Sequence, residues 1–239
     1  MNDIEPTELQ ADMAPDHFVR GLKDAVPIML GFVPFALVLG AQAVQKGFSS
    51  AEVALMTGLN FGGGSEFAAL ALGTSPPQIA LIVAVALLVN SRHLLMGAAF
   101  APLMRGLSRR KAFLVLFFMC DESWAMGLDD ARRNRTALNT RYFFGVAIGL
   151  YSSWIVFTTV GAVVGPVLGD VTRYGFDMAF PAVFLFMLAG MWRGVAASRP
   201  WLVSLVVAGA THLFMPGAWY VPAGALSGVL SAYLLARPE

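Results

Sequence analysis

Charge is scarce in this chain. Only 13% of its 239 residues are Asp, Glu, Lys or Arg, against about 25% in ordinary soluble domains. A soluble protein of this size has more surface than so few charges can cover, which excludes a typical soluble enzyme and a disordered chain. Neither sign dominates. Sixteen Lys and Arg face fifteen Asp and Glu, for a net charge of +1, so no basic surface exists to hold nucleic-acid phosphates. Cysteine is nearly absent. The single Cys120 excludes an intrachain disulfide framework and a multi-cysteine metal site. Lys and Arg are also missing before Arg20, where Asp3, Glu5, Glu8, Asp12 and Asp16 stand instead. A signal peptide needs a basic start and an apolar run, so residues 1–20 are expected to form a polar N-terminal tail.

What is abundant is apolar: 57% of the chain is hydrophobic. A helix crossing the ~30 Å hydrocarbon core needs about 20 mostly apolar residues. Eight segments qualify or come close, at 25–45, 52–73, 77–104, 112–128, 142–167, 176–193, 200–215 and 218–236. No soluble domain fits between them. The expected fold class is all-α, a polytopic membrane helical bundle of seven to eight segments, with residues 21–239 forming one transmembrane domain. Several segments are interrupted: by Pro27 and Pro34, by Gly62-Gly63-Gly64, by Asn90-Ser91-Arg92-His93 and by Pro181, while Thr211-His212 precede Pro216-Gly217. A triple glycine at mid-membrane frees backbone groups that must find partners or line a wet cavity. Paired discontinuous helices are how many transporters build midplane binding sites.

A shift of 119 positions aligns the two halves, placing His93-Leu94 on His212-Leu213, Phe61 on Phe180, and Phe32 and Phe35 on Tyr151 and Trp154. This reads as two structural repeats, 22–104 and 141–236, with 112–128 inserted between them. The insert has basic flanks on both sides, Arg105, Arg109, Arg110 and Lys111 before it and Arg132, Arg133, Arg135 and Arg141 after it. The positive-inside rule puts both flanks in the cytoplasm. The insert is then re-entrant and the repeats are inverted, which is the expected arrangement; a spanning insert would make them parallel.

Charged side chains cost at least ~2.5 kcal/mol at a membrane-helix centre, so they pair or face water. Glu66, Arg92, His93, Asp121, Glu122, Asp177 and His212 lie in or at the ends of apolar segments. A Glu66–Arg92 pair would offset part of this cost. Gly62, Gly63, Gly64 and Ser65 would present backbone N–H groups at a helix start, where an anion is favoured; the alternative is close packing through small residues. Histidine is a side chain suited to proton transfer, which makes His93 and His212 candidates for it; a hydrogen bond to a neighbouring carbonyl is the alternative for each. No close cluster with metal-ligand spacing is visible, and neither a metal nor a cofactor is expected. Asp121 and Glu122 point about 100° apart on a helix and cannot form one acid–base pair. Phe35 and Trp154 are candidates for lining a pocket.

The motifs Gly31-Phe32-Val33-Pro34-Phe35, Gly63-Gly64-Ser65-Glu66-Phe67, Asn90-Ser91-Arg92-His93, Asp121-Glu122-Ser123-Trp124-Ala125, Tyr142-Phe143-Phe144-Gly145 and Trp154 resemble the AzlC/YgaZ family over about residues 20–235. The resemblance implies a bacterial inner-membrane exporter of branched-chain amino acids. It also implies a small hydrophobic partner of the AzlD/YgaH type. The family usually has Gln where this chain has Glu66, so a titratable group is added beside the helix break. On this reading Gly62, Gly63, Gly64, Ser65, Glu66, Asn90, Phe35 and Trp154 hold the substrate. Glu66, Arg92, His93, Asp121, Glu122 and His212 serve coupling or charge balance. The competing readings are an intramembrane serine protease built on Ser65 with His93 or His212, and a channel or structural subunit.

Overall fold

The computed structural model describes residues 17–73, 79–168, 198–215 and 219–235, with isolated positions between 178 and 195. Every regular element longer than one residue among them is an α-helix, in keeping with the all-α expectation. Among the described residues, three helices are long and apolar enough to cross a membrane: His17–Gln45, Ile79–Phe100 and Thr140–Val167. The expected segment 176–193, with Asp177 and Pro181, lies outside the described residues apart from isolated positions.

Helix α1 is His17–Gln45, and it begins earlier than the expected start at 25. Its first turns are packed rather than loose. A Cβ on Gly21 would overlap the Tyr142 carbonyl, and one on Gly145 would overlap that of Phe18. Glycines at such a seam let two backbones touch. Pro27 and Pro34 sit inside α1 without ending it.

The segment expected at 52–73 is two helices, Ser50–Asn60 (α2) and Gly64–Leu72 (α3). A capping box of Ser49 and Glu52 starts α2. Phe61 ends it in the left-handed region at φ 44°, and Gly63 follows at φ 49°. At 1.5 Å per residue the two pieces measure about 16 and 13 Å, so neither crosses the core by itself.

Ile79–Asn90 (α4) and Arg92–Phe100 (α5) are parted only at Ser91. Ile79, Val83 and Leu87 are exposed at four-residue spacing and form a stripe suited to lipid. Residues 112–128 likewise split. Arg109–Phe117 (α6) ends before a break at 118–120, and Asp121–Asn134 (α7) follows. Asp121 and Glu122 therefore open a helix instead of lying at the centre of one. Thr140–Leu168 (α8) is long and continuous. Arg199–Phe214 (α9) and Tyr220–Leu235 (α10) pack antiparallel, with Gly224 against Ala208 and Gly228 against Ser204.

The chain divides into two compact units. In one, formed by residues 1–34 and 93–157, Phe100, Val115, Met119, Leu138, Phe143 and Ala147 make a buried core. Within this unit α1 and α8 run parallel: Phe18 lies against Gly145, and further along the Phe32 ring meets Trp154 at 5.6 Å. In the other, formed by residues 35–92 and 158–239, Gly161 seats directly on the Leu37 backbone. The buried Thr57 and Thr158 hydroxyls there are 3.2 Å apart.

The parallel course of α1 and α8 corrects the inverted arrangement, which would set them antiparallel. Between them only Ile79–Phe100 is a full-length span among the described residues, so α8 resumes the direction of α1. The repeat is also imperfect at His93 and His212. The break at Ser91 maps by 119 positions onto Ala210, inside the continuous α9. The counterpart break at Phe180-Pro181 lies outside the described residues.

Candidate functional site

Two of these breaks meet within the unit formed by residues 35–92 and 158–239. The end of α2, the glycine turn and the start of α3 come up against the α4–α5 interruption. Asn90 Nδ2 donates to Asn60 Oδ1 at 3.3 Å, and Arg92 Nη2 donates to the Gly62 carbonyl at 3.4 Å. On the other side of the same glycine, the Gly62 N–H donates to Glu66 Oε1 at 3.3 Å. Asn60 Nδ2 donates to Ser65 Oγ at 2.8 Å and lies 3.3 Å from Glu66 Oε1. The turn is therefore held at both ends of one residue, by a guanidinium on its C=O and a carboxylate on its N–H.

The local sequence explains this shape. Glycines supply the positive-φ turn at Gly63 without a Cβ penalty. Gly62 serves a different need: a Cβ there would overlap Ser65 Oγ and come within 2.7 Å of Asn60 Nδ2 and 3.1 Å of Asn90 Oδ1. The glycine face is thus the floor of the polar cluster. Ser65 and Glu66 are each 2% exposed. A carboxylate removed from water is tolerated only when it is hydrogen-bonded or paired, and here an amide and a peptide N–H both serve it. Phe35 stacks on Phe67, 4.6 Å between ring centres, immediately after Glu66 in the sequence.

The structure gathers Gly62, Gly63, Ser65, Glu66, Asn90 and Arg92 at this break. Asn60 belongs with them and was missed. Its signal in the sequence was only an amide ending an apolar run just before the glycines. Trp154, 3% exposed, packs edge-on against Phe32 within the other unit. Asp121 and Glu122 also lie in that unit, half-buried in the first turn of α7, where acidic groups suit the helix dipole. His93 stands in the first turn of α5. His212 is exposed in the last turn of α9, with its ring 5.2 Å from that of Tyr220.

The cluster thus sets an amide and a peptide N–H on one buried carboxylate, with a hydroxyl and a guanidinium on the adjoining groups. A family model described as "AzlC protein" matches residues 27–168. The chain belongs to the AzlC family. The AzlC match contains the whole cluster and ends with α8, so α9 and α10 lie beyond it. Among AzlC relatives, "Inner membrane protein YgaZ" of Escherichia coli (strain K12) is 26% identical over 224 residues, covering 92% of this chain and 91% of that protein. "Branched-chain amino acid transport protein AzlC" of Bacillus subtilis (strain 168) is 28% identical over 172 residues, covering 70% of this chain and 65% of that protein. An uncharacterized membrane protein of Archaeoglobus fulgidus is 30% identical over 151 residues, 63% of this chain and 64% of its own length. No solved structure matches the chain. Apolar helices long enough to span and relatives named as membrane proteins agree that this AzlC-family chain is a membrane protein.

Proposed function

We propose that the chain is a secondary transporter of the bacterial inner membrane. It exports branched-chain or similar small neutral amino acids (valine, leucine, isoleucine and methionine), is coupled to protons, and works with a small AzlD-type membrane subunit. Membership of the AzlC family and the name of the Bacillus subtilis relative support the transport reading. That relative is named as a transport protein rather than an enzyme, so Ser65 is read as a hydrogen-bonding group and not as a nucleophile.

One observation carries the site assignment. Glu66 is buried at a helix break and accepts from the Gly62 N–H and the Asn60 amide. These are the donors a substrate carboxylate would use. In the proposed cycle the substrate carboxylate takes them over. Glu66 then accepts a proton or turns to the substrate ammonium, and Arg92 balances the charge. Phe35 and Phe67 supply an apolar wall for the branched side chain.

The test is leucine and valine efflux from preloaded proteoliposomes holding the chain and its small partner. Glu66→Ala and Arg92→Ala are expected to depress efflux strongly while the protein remains folded. Wild-type rates in both variants would remove the assignment. Thermal-shift screening against all amino acids reads the substrate class separately, because stabilisation follows affinity.

A further inference from the structure

The helix pair α6–α7 carries an inference independent of the proposed site. The loop before α6 and the loop after α7 are joined, since the Leu138 N–H donates to the Leu103 carbonyl at 3.1 Å. The pair therefore returns to the end of the unit at which it began. Its turning point lies deeper. The Phe118 ring packs on Tyr151 with 5.0 Å between centres, and Tyr151 is about 17 Å along α8 from its start. The returning helix comes back down the same side. A Cβ on Gly127 would sit 3.2 Å from both Phe100 and Phe143, at the end of α5 and the start of α8. Lower still, Asp130 is 2.6 Å from Arg20 near the start of α1 and accepts from Asn134 at 3.0 Å.

The lengths agree with this path. Helices α6 and α7 have 9 and 14 residues, about 13 and 21 Å, both short of the ~30 Å core. The break at the tip is also served from within. The Ser123 hydroxyl accepts the Cys120 N–H at 2.9 Å and lies 3.2 Å from the Cys120 carbonyl. Non-helical backbone at membrane depth requires such partners. Exposed cations crowd the two mouths of the pair: Arg105, Arg109, Arg110 and Lys111 at entry, and Arg132, Arg135 and Arg141 at exit. Phe113, Leu114, Leu116 and Phe117 are exposed directly after the entry cations, giving the basic-then-apolar order of a helix entering lipid.

We propose that α6–α7 is a re-entrant hairpin that dips to mid-membrane from the cytoplasmic side, with the cations at its two mouths seated on anionic phospholipid headgroups of that leaflet. The hairpin places Asp121 and Glu122 at mid-membrane depth while both its flanks stay on one side. The cations supply an attraction of the kind that juxtamembrane basic clusters make with anionic lipid.

Single cysteines at Arg105→Cys and Ala137→Cys, each in a Cys120→Ala background, test the path with a membrane-impermeant maleimide. Both are expected to react in inverted inner-membrane vesicles and to be protected in spheroplasts. Reaction of the two positions from opposite faces would overturn the proposal. Arg110→Cys and Thr136→Cys form a second pair should either first variant fail to insert, with the same two outcomes. The headgroup contact is tested on the full chain in nanodiscs. Adding phosphatidylglycerol to phosphatidylcholine is expected to raise Tm, and the combined Arg109→Gln, Arg110→Gln and Lys111→Gln variant is expected to lose about 2–4 °C of that gain. An equal gain in wild type and variant would refute the lipid contact.

Discussion

Replacing Gly62 with alanine isolates the polar cluster from the backbone that builds it. No positive φ is needed at this residue, so alanine meets no conformational barrier there. The new methyl would instead overlap Ser65 Oγ and approach Asn60 Nδ2 to 2.7 Å and Asn90 Oδ1 to 3.1 Å. All three are side-chain atoms, so they move aside. The motion breaks the 2.8 Å Asn60–Ser65 bond and the 3.3 Å contact of Asn60 with Glu66. Each hydrogen bond of this kind is worth about 1–1.5 kcal/mol net. Losing two costs about 2–3 kcal/mol, or roughly 30- to 150-fold in an equilibrium constant. That loss falls on Tm; because Asn60 is also one of the two donors the substrate carboxylate is proposed to take over, its displacement is expected to weaken amino-acid binding in proteoliposomes by about 1–1.5 kcal/mol, roughly 5- to 13-fold. Gly31→Ala is the control, because nothing lies within 4 Å of a Cβ there. Unchanged affinity and efflux in Gly62→Ala would refute the placement of the site at this break.

Three further outcomes follow from the same contacts. Gly161→Ala would drive a methyl into the Leu37 backbone, and because backbone cannot step aside, a loss of about 1–3 kcal/mol is expected, read as a lowered Tm with no change in substrate selectivity. Asp130→Asn removes the charge from a carboxylate that is 7% exposed and paired with Arg20. The expected cost is about 1–3 kcal/mol, discounted because the Arg20 side chain is 34% exposed, and combining it with Arg20→Gln should cost less than the two single changes summed. Glu66→Gln keeps the oxygen that accepts from Gly62 and Asn60 but no longer ionises. Folding and amino-acid stabilisation are expected to persist while the dependence of efflux on pH flattens, and a pH profile identical to wild type would take Glu66 out of the coupling step.

Much of the candidate site was legible because burial in lipid is selective. A carboxylate, a guanidinium and three glycines in a 57% apolar chain stand out because each is costly there unless it serves a purpose. That reasoning found Gly62, Ser65, Glu66, Asn90 and Arg92. It passed over Asn60, since an uncharged amide at the end of an apolar run gives no comparable signal. Within their own units Phe35 stacks on Phe67 and Trp154 meets Phe32, pairings that the sequence did not name. Aromatic residues find partners by geometry, and a repeat in sequence does not specify which.

By itself, the sequence determined the solvent and the interruptions. Scarce charge and long apolar runs require a bilayer, and glycines mark where its helices must break. Direction was left to the tertiary structure. A break looks the same in sequence whether the chain continues across the membrane or turns back, because both demand the same freed backbone groups. Only contacts distant in sequence distinguish the two. Phe18 against Gly145 with Phe32 against Trp154 makes α1 and α8 parallel, and the bond from Leu138 to Leu103 brings α6–α7 back to its starting end.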